Sequence, residues 1–140
     1  MKTLQWSDNL SVGIELIDGQ HKTWIEHFNT TAKAVAAQKG PTQTAMTLNF
    51  LREYTAEHFA TEEKHMAASE YPAFATHKAL HDELQQTLED LVLEYEEEGA
   101  TYVLADVLDT FLGNWLIQHI KEVDMLFGAF VKENGIVVAE

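Results

Sequence analysis

Residues 72–99 read PAFATHKALHDELQQTLEDLVLEYEEEG. Proline steers the residue before it away from helical angles, so Ser69-Glu70-Tyr71-Pro72 is a break. Gly99 is a C-terminal stop, because glycine accepts the left-handed turn that ends a helix. Nothing between them interrupts a helix, and one is predicted over 72–98. Within it, His77 and His81 stand four apart. Four residues advance about 400° around the axis, so both rings leave one face, a turn apart.

Working outward, the same logic yields three more helices. Upstream, Leu48, Leu51, Tyr54, Thr55, His58 and Phe59 fall near helical spacing, predicting a helix over 42–68 with Thr42 as its cap. Gly40-Pro41 closes an earlier helix over 18–38, for which Asp18 is the expected N-cap. Downstream, Thr101 can cap a helix over 101–123. Residues 1–17 read as a non-helical arm. Residues 124–140 read as a tail, with Gly128 and Lys132-Glu133-Asn134-Gly135 marking a last short helical piece. Short connections force neighbours to run antiparallel. The expected fold is all-α: one domain, 1–140, built as an antiparallel up-down-up-down four-helix bundle with an N-terminal arm and a short helical tail.

Composition narrows the chemistry. The chain has 140 residues, no cysteine and a formal charge of −14. Disulfides, thiolate catalysis, iron–sulfur clusters and cysteine-held zinc are excluded, so any metal must be held by imidazole and carboxylate. The acidic surface repels phosphate backbones and anionic lipid, and neither nucleic acid nor membrane is an expected partner. Met1-Lys2-Thr3-Leu4-Gln5-Trp6 lacks the apolar core of a signal peptide, and no stretch reaches the roughly 18 apolar residues of a membrane span. A cytoplasmic location is expected.

The seven histidines matter by placement. His21 falls near the start of the first helix and His58 well before the end of the second. His77 and His81 lie one to two turns into the third, and His119 near the end of the fourth. In an antiparallel bundle all four helices can deliver imidazole to one interior layer, although counting from Asp18 matches His21 to that layer only loosely. Glu62 shares the face of His58. His27 lies on another face from His21, His65 reads as a bundle-end or surface residue, and Glu63 as a solvated carboxylate. Trp24, Phe28, Phe50, Phe59, Phe111 and Trp115 are expected in the core, with Met66 and Met125 filling gaps.

In order along the chain, Asp18-Gly19-Gln20-His21, His58-Phe59-Ala60-Thr61-Glu62-Glu63, His77-Lys78-Ala79-Leu80-His81 and Trp115-Leu116-Ile117-Gln118-His119-Ile120 with Asp124 resemble the hemerythrins. Trp6-Ser7-Asp8 and Val12-Gly13-Ile14 are similar to the bacterial branch, the bacteriohemerythrins. The resemblance spans nearly the whole chain.

It implies two iron ions (Fe2+/Fe3+), joined by a bridging oxide or hydroxide and held by His21, His58, Glu62, His77, His81, His119 and Asp124. His77, His81 and His119 would serve one iron, and His21 and His58 the other. Two octahedral irons offer roughly twelve positions. Five imidazoles, two bridging carboxylates and one bridging oxygen fill all but one. The implied function is reversible dioxygen binding, for carriage, storage or delivery.

Asp124 is the difficult ligand. Five residues beyond His119 it is offset by about 140° on an ideal helix, whereas Glu122 is offset by only about 60°. The resemblance implies Asp124, which demands a wide turn there. Ile25, Leu116 and Ile120 fall within a turn of ligands and are expected to wall the vacancy, exclude water and slow autoxidation.

Two other functions compete. Di-iron oxidases, peroxidases and ferroxidases of the ferritin type use paired Glu-x-x-His units, and no glutamate stands three residues before any proposed histidine ligand here. An oxygen, redox or iron sensor would need an output partner. The expectation is therefore a binding protein rather than an enzyme.

Overall fold

The computed structural model describes residues 4–37, 41–99, 104 and 106–139. Among these there is no strand. Three helices, α1 (Glu15–Ala36), α2 (Pro41–Ala68) and α3 (Phe74–Glu98), precede a fourth, α4 (107–133), and together they form the bundle. The expected stop at Gly40 and cap at Thr101 lie outside the described residues. No described helix is long and apolar enough to cross a membrane.

The first helix starts earlier than expected. Gly13 takes φ +82°, a left-handed turn that suits glycine, and Ile14 is extended, so α1 begins at Glu15. Asp18 is thus inside the helix rather than its cap. Its carboxylate instead reaches back, accepting the Val12 N–H at 2.8 Å and the Ser11 hydroxyl at 2.5 Å. This clamp shapes the arm. Leu10, Val12 and Ile14 are buried, and the arm carries one 3-10 turn, Asp8–Leu10. Asn29 pins its start by bonding both the N–H and the carbonyl of Leu4, each at 2.8 Å.

Starting at Glu15 also corrects the depth of His21. The ring sits in the seventh position of α1, not about the third. That places it roughly 9 Å along the axis, level with the last turns of α2 that carry His58 and Glu62.

Pro41 is already helical, so Thr42 lies inside α2 and not before it. α2 ends at Ala68 as expected, with Glu70 at φ 54° and the Tyr71 N–H closing onto the Met66 carbonyl. The chain needs one more turn past Pro72, and α3 opens at Phe74, two residues later than expected. Gly99 ends it at φ 78°, donating to the Tyr95 carbonyl at 2.8 Å.

The fourth helix departs most from expectation. It does not stop at 123 but runs on through Met125–Glu133, so the expected tail is largely its last turns. Two stretches, Val107–Leu112 and Ile120–Asp124, are π-helical. Gly128 lets α4 touch the arm, since a methyl there would overlap the Val12 carbonyl.

The core follows the inward faces. Trp24, Phe28, Phe59, Met66, Leu84, Leu88, Leu108 and Phe127 are all essentially fully buried. Phe50 and Phe111, expected inside, are both 49 % exposed. Hydrophobicity alone misplaced them, because they lie on the outward side of helices whose inner faces are already filled.

Candidate metal centre

One interior layer breaks the apolar core. His21, His58, Glu62, His77, His81, His119 and Asp124 are each between 0 and 4 % exposed. All four helices contribute: α1 gives His21, α2 gives His58 and Glu62, α3 gives His77 and His81, and α4 gives His119 and Asp124.

The π-turn explains how α4 supplies two groups. Closing on i→i+5 bonds, it brings residues five apart onto one face, as an α-turn does for residues four apart. Ile120–Asp124 is that turn, so Asp124 follows His119 into the interior while Glu122 remains exposed.

The carboxylates lie between the imidazoles. Asp124 Oδ1 is 2.9 Å from His77 Nε2 and 3.1 Å from His119 Nε2, while its Oδ2 is 2.9 Å from His21 Nε2. Glu62 Oε1 is 3.2 Å from His81 Nε2 and 3.7 Å from His58 Nε2, and its Oε2 is 3.8 Å from His21 Nε2. Each carboxylate therefore has one oxygen toward the His77–His81–His119 side and the other toward His21.

These atoms are close without being bonded to one another. All five Nε2 atoms and all four carboxylate oxygens are buried and lack a hydrogen bond. Burying such groups unpaired is costly. Donor atoms that converge at this spacing fit a cation between them. The donors fall into two sets, each with its atoms within 4.8 Å of one another. One is Glu62, His77, His81, His119 and Asp124; the other is His21, His58, Glu62 and Asp124. Both carboxylates belong to both sets. The layer is a nitrogen and oxygen site for metal, and its donors suit a pair of first-row ions.

Electrostatics leave His58, His81 and Asp124 free to donate and set Glu62 apart. Burial, then the neighbouring His77 and His119, push His81 down to about 2. Burial and His21 hold His58 well below the ordinary imidazole range. Both rings are neutral at physiological pH, with a free lone pair each. Burial works upward on Asp124, but His119, His21 and His77 overrule it and hold the carboxyl well below its usual range. Glu62 is driven well above its usual range by burial and by the charge of Asp124. Two carboxylates this close cannot both ionise easily, and a cation between them would relieve that repulsion.

Around the donors stand aromatic rings. Phe59 stacks on His81 with centroids 3.7 Å apart, and Trp115 on His119 at 4.5 Å. Trp24 lies 5.1 Å from His58 and donates its indole N–H to Thr55 at 2.8 Å. These contacts fix the imidazole planes. Ile25, Leu116 and Ile120 are 4, 1 and 0 % exposed.

Two polar residues were misread or unassigned from sequence. Glu63 is not simply solvated: its Oε2 accepts from His81 Nδ1 at 2.9 Å. Gln20 Oε1 lies 2.7 Å from His58 Nδ1. These pairs join residues 18 and 38 apart. Helical periodicity relates neighbours on one helix, so it carries no signal for such contacts. The His27 ring lies tilted against Tyr54, centroids 5.1 Å apart, and belongs to neither donor set.

Three comparisons with known proteins agree with this geometry. Residues 12–131 match the family profile of the Hemerythrin HHE cation binding domain. A bacteriohemerythrin of Stenotrophomonas maltophilia is 32% identical over 132 residues, 94% of this chain and 84% of that protein. One from Methylococcus capsulatus is 32% identical, covering 91% of this chain and 96% of its own. A crystal structure of wild-type hemerythrin superposes with a TM-score of 0.82 at 31% identity, over 91% of this chain and 97% of its own.

Proposed function

This chain belongs to the hemerythrin family, and we propose that it holds two iron ions in the buried layer and binds dioxygen reversibly. The observation that carries this reading is the unequal sharing of donors. Glu62 and Asp124 serve both sets, but three imidazoles complete one and only two the other. With one bridging oxide or hydroxide, the first set would supply six ligands and the second five. A closed structural site has no such gap.

When bound, the iron pair would supply the electrons and the open coordination position that dioxygen requires. The chain supplies the rest. His77, His81 and His119 would hold one ion, and His21 with His58 would hold the other. Glu62 and Asp124 set the spacing between the two. Ile25, Leu116 and Ile120 are proposed to form the apolar wall of the vacancy. An apolar wall offers no proton donor and no room for bulk water, which favours release of dioxygen over its reduction. No histidine or carboxylate of the layer is left over as a general acid, base or nucleophile. That supports binding rather than turnover, with carriage, storage or delivery as the use.

The test is stoichiometric. Chain loaded anaerobically with ferrous iron should hold two irons and take up one dioxygen per iron pair. Uptake of a single iron, or steady consumption of dioxygen beyond that ratio, would refute the proposal.

A further inference from the structure

We propose that Glu63 and Gln20, neither of which belongs to a donor set, are positioning residues that make the two metal positions unequal in charge. Among the described residues, side chains reach the outer ring nitrogen of only two of the five imidazoles. Glu63 reaches His81 at 2.9 Å, and Gln20 reaches His58 at 2.7 Å. His21 Nδ1 and His77 Nδ1 are buried with no partner.

The two contacts have the same form and opposite charge character. In each ring Nε2 faces the layer, so Nδ1 carries the proton and donates outward. Gln20 is held in the accepting orientation because its amide nitrogen donates to the Thr61 hydroxyl at 3.4 Å. Its oxygen is a neutral acceptor. Glu63 accepts with a carboxylate, whose side chain is 20 % exposed and so keeps water contact for its charge. A carboxylate pulls the Nδ1 proton harder than an amide does and makes the opposite nitrogen a stronger donor.

The placement is not symmetric. His81 lies in the five-donor set and His58 in the four-donor set. The strengthened imidazole therefore serves the filled position, and the neutral amide serves the position with the vacancy. The consequence is division of labour. The filled position better stabilises the higher oxidation state, while the incomplete one stays the softer, more readily vacated end.

The inference rests on the two-metal reading, and zinc, which has no redox chemistry, separates the two. Calorimetric titration of the full chain with zinc alone should show two binding events of different affinity. Glu63→Gln keeps an acceptor and removes the charge; it should weaken the tighter event by roughly 10–100-fold and leave the other within about threefold. Gln20→Glu should strengthen the weaker event, and the double variant should exchange the two. In iron-loaded protein, spectroelectrochemistry should find Glu63→Gln shifting the ferric-to-ferrous balance at least tenfold toward ferrous, and Gln20→Glu shifting it toward ferric. Opposite signs cannot come from lost packing. Fewer than two zinc ions in the wild-type chain would overturn both readings. Two zinc ions with both variants moving the events alike, or with no shift in the iron balance, would overturn this inference alone.

Discussion

Leu116 is 1 % exposed and stands one turn before His119, so its side chain can matter in two separable ways. Truncation to alanine removes buried methyl groups and should cost about 2–5 kcal/mol of stability, read as a lower denaturant midpoint. The space left behind also admits water beside the proposed vacancy. The oxygenated form should then autoxidise faster, followed as decay of its visible band; an unchanged lifetime would remove Leu116 from the wall. Individual donors were legible because imidazole and carboxylate at helical spacing are rare in a core. Glu63 was not, because an acidic residue beside a ligand on an exposed helix looks like any solvated carboxylate. Only the crossing of α2 and α3 reveals the His81 ring that it meets.

The fourth helix carries the sharpest contrast between pattern and fold. Ideal α-geometry favours Glu122 as the partner of His119, and the π-turn at Ile120–Asp124 reverses that preference. Glu122→Ala should leave metal uptake unchanged, while Asp124→Ala should lose at least one metal per chain by elemental analysis. Equal losses would show that the turn does not select the ligand. Sequence reading demands a wide turn there only because the resemblance implies Asp124; spacing on an ideal helix favours Glu122. It could not find the Glu15 start of α1. That boundary depends on Gly13 turning the arm and on Asp18 reaching back to Val12, contacts outside helical periodicity. The breaks at Pro72 and Gly99 were legible because proline and glycine act through the backbone, whatever packs around them.

Across the whole bundle, the core and the metal layer oppose one another. Apolar burial favours folding, while nine buried and unpaired donor atoms work against it. Metal should therefore stabilise the chain by mass action, about 2.7 kcal/mol at a hundredfold excess over Kd. Removal by chelator should lower Tm measurably. The metal-free chain should also be acid-sensitive. His58 and His81 have folded pKa values below the unfolded 6.5, so the unfolded state gains protons first. Their contribution is complete above about 6.5 and is lost as pH falls below it. Asp124 acts in the same direction at lower pH, and Glu62, whose pKa is raised, acts in the opposite one. A metal-free Tm that rises on acidification from pH 7 to 5 would contradict this balance.

The most direct measurement is optical and cyclic. Iron-loaded chain is reduced, exposed to dioxygen, then held under vacuum, while the visible charge-transfer absorption is followed through repeated rounds. Two irons sharing Glu62 and Asp124, with one open position behind an apolar wall, predict a band that appears, vanishes and returns with little loss. A band that never forms, or one that forms once and gives way to a permanently oxidised protein, would contradict the account.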